Sequence, residues 1–249
     1  MQAHDPLFDS AQNQALLVVC ARKTIRTAAF AGIIWGVINV GVGLAAVQVN
    51  PMNVGLVGLA LIMLAAGLVA LKRPSLHALL AEAIISVLLL CWNIGVAVLN
   101  LMAGQTENFH GHGLIFPAIA AIMFFKQYFK LGHLRDAIAG MDKRTVDEAS
   151  GVCKQLFKRK LKESPDIAEA ASKRARLRFM SDGVFCAQRN LARAFYMSAA
   201  HFRKSITDPN RKRVRVVVRH PLGKLTYAFD KKNSDKIKSW LNSAAPQAS

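Results

Sequence analysis

The chain has 249 residues, and its 33 Lys and Arg against 15 Asp and Glu give a formal charge of +18 at neutral pH. Its mean hydropathy of +0.25 averages two unlike halves: residues 1–125 hold five of the basic residues, and residues 126–249 hold the other 28 with 11 acids, a formal +17. Long uncharged apolar runs followed by a basic polar tail exclude one uniform soluble domain and describe a membrane protein with a soluble tail.

The start, Met1 to Cys20, lacks a secretory signal pattern. Asp5 and Asp9 stand where a basic region belongs, and the apolar stretch Ala15 to Cys20 is short. Residues 1–26 are therefore expected to form a cytoplasmic segment, with the first span as an uncleaved signal anchor. From Thr27 to Leu71 no residue is charged, and Asn50-Pro51-Met52-Asn53 splits this run into two pieces, each about 20 residues, the length a helix needs to cross hydrocarbon. A helical hairpin, Thr27 to Val49 and Val54 to Leu71, follows. A third run extends from Leu79 to Met102 with one acid, Glu82, and a polar loop from Gly104 to Asn108 ends it. The fourth, Leu114 to Phe129, is apolar to Phe125; Lys126 can snorkel while Phe125, Tyr128 and Phe129 sit at the interface.

Arg22, Lys23 and Arg26 precede the first span, Lys72 and Arg73 join the second to the third, and Lys126 opens the tail, whereas the other two loops carry no Lys or Arg. Basic residues accumulate on the cytoplasmic side, so the expectation is a four-helix transmembrane bundle over residues 27–131 with both termini in the cytoplasm. A bacterial inner membrane is the simplest location. Cys20, Cys91, Cys153 and Cys186 have no paired spacing, and free thiols are expected.

Two stripes appear at helical spacing. Gly32, Gly36, Asn39 and Gly43 share one face of the first span, and Glu82, Ser86, Asn93, Ala97 and Asn100 share one face of the third. Small residues let helix backbones approach, and Asn or Ser can hydrogen-bond across the contact. The plain reading is helix packing; the sharper one is a polar path for an ion or small solute with Glu82 as its carboxylate, since an ionisable residue in a span is costly unless used or paired. Pairing of Glu82 with Lys72 or Arg73 is the competing expectation. Pro117 marks a candidate kink in the fourth span. His110-Gly111-His112 has no further ligand at metal spacing. No nucleophile elbow or Gly-rich phosphate loop is present, so no enzyme activity, cofactor or metal is expected.

Residues 132–172 read as basic juxtamembrane helices. Thr145 and Glu148 stand at capping-box spacing, and Val146, Cys153, Leu156, Phe157 and Leu161 make an apolar side opposite Lys154, Lys158, Arg159, Lys160 and Lys162. Such a helix suits either anionic head groups or packing on the following domain. Ser164-Pro165-Asp166 opens an expected short helix to about Ser172. In residues 173–249 the period changes to two: Arg174, Arg176 and Arg178 alternate with apolar residues, and Ser181-Asp182-Gly183 turns into Val184 to Arg189 as a hairpin. Strand-like runs follow at Arg193 to Ser198, His201 to Ile206, Arg213 to Arg219 and Lys224 to Phe229. Asn233-Ser234-Asp235 then caps a helix with Ile237, Trp240 and Leu241 on one face. This is an antiparallel meander closed by a C-terminal helix, an α+β domain.

That order of elements, over residues 173–242, resembles a pleckstrin-homology-like or GRAM-like split barrel with a helix plugging one open end. The resemblance implies a membrane-proximal domain that binds lipid head groups or peptides, and it assigns no binding residue. The charge itself nominates Arg174, Arg176, Arg178, Arg189 and Arg193 on one hairpin, and Arg211, Lys212, Arg213, Arg215 and Arg219 on another, as a surface for anionic lipid or a protein partner. Nucleic acid is disfavoured, because no aromatic stacking motif or recognition helix accompanies the charge. The expected function is a non-enzymatic membrane anchor or adaptor. Its competitor is a small channel or transporter, homo-oligomeric in form, with a path through Glu82, Asn93 and Asn100.

Overall fold

Among the described residues four helices are long and apolar enough to span a membrane, and a small antiparallel sheet domain follows them. The computed structural model describes residues 10–48, 51–104, 112–157, 169–172, 175–188, 193–207, 213–221 and 223–243; the side chains of 52, 112, 113, 152–157, 169, 171 and 223 lie outside that description. The chain divides into two units, residues 22–139 and, separately, the residues up to Ala21 together with Gly140–Ser249.

The helical unit takes its limits from Pro, Asn and Ser residues between uncharged runs. Helix α1 (Ala11–Val47) gives way to a 3-10 turn at Pro51–Asn53, where the Asn53 side-chain amide donates to the Ala46 carbonyl at 3.1 Å. Helix α2 (Val54–Lys72) ends against Pro74, with the Arg73 N–H on the Val69 carbonyl. Helix α3 (Leu76–Met102) starts three residues before the expected Leu79, because the Ser75 hydroxyl accepts the Ala78 N–H at 3.2 Å. Helix α4 (His112–Leu131) runs through the buried Pro117 and leads by a 3-10 turn into α5 (Arg135–Gly140).

Small residues set the spacing of α1 and α2. A methyl group on Gly36 would stand 2.6 Å from Leu64 Cγ, one on Gly43 2.7 Å from Val57 Cγ2, and one on Gly67 2.7 Å from Ile33 Cγ1. The backbones therefore approach where a Cβ would collide. Phe30, Val37, Val42, Leu61 and Ile122 are exposed on the outer faces, as suits side chains solvated by lipid tails rather than water.

In the other unit, α6 (Lys143–Phe157) begins at Asp142 rather than Thr145: the Asp142 carboxylate accepts the Arg144 N–H at 3.1 Å, and Arg144 pairs with Glu148 one turn on. Among the described residues seven strands form two antiparallel sheets, β1-β2-β3-β4 and β5-β6-β7, where a single meander was expected. The first contains β1 (Glu169–Ala171), β2 (Ala175–Phe179), β3 (Gly183–Gln188) and β4 (Ala194–Ser198); β2 and β3 form the expected hairpin, with Phe179 opposite Val184. The second contains β5 (Ile206–Thr207), β6 (Arg215–His220) and β7 (Gly223–Ala228).

Two expected elements change type. Glu169–Ala171, assigned to a helix by its Ser-Pro-Asp start, is a strand whose partner is the edge of β2. His201 to Ile206, read as a strand, is mostly helix α7 (Ala199–Ser205), because the Ser198 hydroxyl accepts the His201 N–H and starts a turn. The last helix, α8 (Lys231–Ser243), is capped one turn early: Asp230, not Asn233, accepts from the Asn233 backbone and side chain. Those donors hold the Asp230 carboxyl below the usual carboxylate range.

The core of this unit joins both sheets through α7 and α8. Phe179 meets Phe202 and Trp240, and Phe195 meets His220, at ring separations of 5.2 to 6.3 Å. Val216, Val218, Leu225, Tyr227, Phe229 and Ile237 are buried with them. Burial pushes the Cys186 thiol and the Tyr227 phenol up, which keeps both neutral.

The beginning of α1 is part of this unit rather than a separate segment. Strand β4 is an edge strand, and its outward backbone groups need partners. The Asn13 amide supplies two: its Oδ1 accepts the Tyr196 N–H at 2.7 Å and its Nδ2 donates to the Tyr196 carbonyl at 2.9 Å. Two turns on, Cys20 Sγ accepts the Ala194 N–H at 3.1 Å. Leu16 and Cys20 are buried with Phe185, Ala187 and Ala194, and Ala149 of α6 packs on the same cluster. The short apolar stretch Ala15 to Cys20 is thus a core helix and edge cover.

Candidate functional site

The strand period places the cations of the second sheet. Alternate residues of β6 turn outward, so Val214, Val216 and Val218 are buried while Arg213, Arg215 and Arg219 are exposed. Pairing sets Arg219 opposite Lys224 and Arg215 opposite both Thr207 and Ala228. Val217 and Thr226 complete the outer face. Among the described residues of β5, β6 and β7 none is acidic, while Asp230, beyond β7, interacts with Arg213 and has an oxygen engaged by Asn233. A row of like charges on an open sheet face can attract an anionic surface or ligand.

The first hairpin distributes its arginines differently. Arg176 is half-buried and Arg193 half-buried, but Arg178, expected on the same surface, is only 5 % exposed, and its Nε and Nη1 have no hydrogen-bond partner among the described residues. Its position on β2, opposite Phe185, puts it on the sheet face that carries the buried cluster. This corrects its assignment to a lipid or partner surface: a buried guanidinium cannot meet an external head group. Arg174, Arg189, Arg211, Lys212, Lys158, Arg159, Lys160 and the Lys154 side chain lie outside the described residues, as does His110. Among the described residues no group of three His, Cys, Asp or Glu could hold a metal, and Cys20, Cys91 and Cys186 are free thiols.

In the helical unit the polar stripe of α3 splits. Glu82 and Ser86 are fully buried, whereas Asn93, Ala97 and Asn100 are half-buried. Ser86 donates to the Glu82 backbone carbonyl at 2.8 Å, and Asn39 donates to the Trp35 carbonyl at 2.8 Å, so each satisfies a donor on its own helix. The Glu82 carboxylate packs on Gly32, where a methyl group would stand 3.0 Å from Oε1. Neither Glu82 oxygen has a hydrogen-bond partner among the described residues. Lys72 and Arg73, the expected ion-pair partners, are exposed, and the ion pair found among the described residues is that of Arg144 with Glu148. Trp92 Nε1 and Gln127 Oε1 also lack partners, but both belong to neutral groups.

One turn along α3 from Glu82, Ser86 borders a half-open space of about 10 Å³ to which all four long helices contribute, through Asn39, Met63, Ser86 and Pro117 among others. That is close to the volume one water occupies. Sequence periodicity placed Gly32 and Glu82 on inward faces of separate helices; it carried no information that the two would meet, because the rotation of α1 against α3 is set by packing. The Asn13 and Cys20 contacts were missed altogether, the only sequence signal being their seven-residue spacing on an apolar stretch too short to span. No family model, curated protein or solved structure matches this chain.

Proposed function

We propose that this protein is a non-enzymatic integral membrane anchor whose tail domain binds anionic lipid head groups through the outer face of its second sheet. The observation that carries the reading is the exposed row of Arg213, Arg215, Arg219 and Lys224, with no acid among the described residues of the three strands. At about 1 kcal/mol per basic residue near an anionic surface, four residues supply about 4 kcal/mol, or about a thousandfold in affinity at low salt. Seven strands split four and three, followed by a C-terminal helix, support the pleckstrin-homology-like reading of the domain by element order. The loop charges support cytoplasmic termini, and a bacterial inner membrane is the simplest location.

The test uses the full-length protein in nanodiscs of neutral phosphatidylcholine, offered to immobilised vesicles with and without phosphatidylglycerol. Preference for the anionic vesicles should fall at least tenfold in a triple variant, Arg215→Gln, Arg219→Gln and Lys224→Gln, and should weaken with salt. Equal binding to neutral vesicles, or an unaffected variant, would reject the lipid reading. A stoichiometric protein released by the same substitutions would replace it with an adaptor for an acidic partner. One observation favours a second reading, a small channel or transporter with a path through Glu82, Asn93 and Asn100: the carboxylate without a partner.

A further inference from the structure

We propose that Glu82 is a reversible proton-binding site inside the helical bundle. The inference concerns the site alone and stands whether or not anything crosses the membrane there. The side chain is fully buried, and neither carboxylate oxygen receives a donor from any described residue. An ionised carboxylate so placed has lost its water and gained nothing in exchange.

Every helix packed with α3 has a chance to supply a cation, and among the described residues none, the half-buried Arg22, Lys23 and Lys130 included, donates to the Glu82 oxygens. Helix α1 presents Gly32, and its nearest basic residue, Arg26, is exposed. Helix α2 has no ionisable residue between Val54 and Leu71, and Lys72 and Arg73 beyond it are exposed. Helix α4 has none between Leu114 and Phe125, and Lys126 is exposed. On α3 itself His77 is exposed, with Arg135 3.5 Å from its Nε2. The charge must therefore be balanced by a cation that comes and goes.

A bare metal ion would need several oxygen ligands around it. One turn away the Ser86 hydroxyl donates to the backbone carbonyl of Glu82, and among the described residues no side chain hydrogen-bonds to the carboxylate. A proton needs one oxygen only: it bonds to Oε1 or Oε2 and leaves a neutral carboxylic acid that suits the apolar wall of Gly32. The water-sized space at Ser86, one turn away, is a place from which water could deliver it.

A hydrophobic carbodiimide reports this state, since the protonated carboxyl adds to it: the carboxyl oxygen bonds to the central carbon and the acid proton passes to a nitrogen. Full-length protein in nanodiscs would be treated with dicyclohexylcarbodiimide and mapped by peptide mass spectrometry, with the adduct measured as a fraction of all peptide containing Glu82. The expected result is an adduct at Glu82 whose fractional yield falls severalfold as pH is raised from about 6 to about 9, unaffected by sodium or potassium at fixed pH. Absence of the adduct at every pH, or a yield that does not change with pH, would overturn the proposal. Protection by an alkali cation at constant pH would overturn the proton assignment in favour of a metal ion.

Discussion

Arg178 shows what burial does to a residue whose type alone suggests a surface. Two of its guanidinium nitrogens are buried without acceptors among the described residues, so its retention costs desolvation that no hydrogen bond described at those atoms offsets. Replacing it by Met keeps the aliphatic volume and removes the charge. Arg178→Met should therefore leave the thermal midpoint of the tail domain unchanged or raise it, by about 1 kcal/mol or more of stability. Arg215→Met, fully outside, should shift stability by less than about 0.5 kcal/mol. Circular dichroism melts of the two purified full-length variants check both. Clear destabilisation by Arg178→Met would mean that the buried guanidinium is engaged by an anion in solution.

At the scale of elements the unexpected device is a helix covering a strand edge. Asn13 presents to β4 the donor and acceptor that a neighbouring strand would present, so removing it strands one buried N–H and one carbonyl. Asn13→Ala should cost about 1–3 kcal/mol and accelerate amide exchange at Tyr196 and Ala194, while Asn13→Asp should do less harm because an acceptor for the Tyr196 N–H survives. Hydrogen exchange followed by mass spectrometry over 194–198 decides it; unchanged protection in Asn13→Ala would show that the helix is dispensable to the edge. The same strands show where sequence was informative. The β2–β3 hairpin was legible because Ser181-Asp182-Gly183 sits between alternating runs, and the four long helices because charge is absent for about 20 residues at a time. His201 to Ile206 was misread because its alternation is too short to distinguish from one amphipathic turn, and the hydroxyl of Ser198 chose the helix. The cover on β4 was illegible because it joins residues 183 positions apart, and no local period reports such a pairing.

On the scale of the whole molecule, that same bond constrains how the chain crosses a bilayer. Asn13 and Tyr196 are hydrogen-bonded partners, so they occupy one side of the membrane, and the chain between them must cross an even number of times. Four apolar helices between them meet that condition; three would not. The loop charges and the hydrogen bond are unrelated observations, and both are consistent with the proposal that the termini share a side. A thiol-accessibility experiment tests the agreement in protein whose own cysteines are replaced, expressed in bacterial spheroplasts. Gln48→Cys, in the turn after α1, should react with a membrane-impermeant maleimide from outside. Asp182→Cys, in the exposed β2–β3 turn, and Ser243→Cys, at the end of α8, should react only after lysis. Reaction of Gln48→Cys and Asp182→Cys from the same side would mean an even number of crossings between them, and one of α2, α3 or α4 would then not be a span.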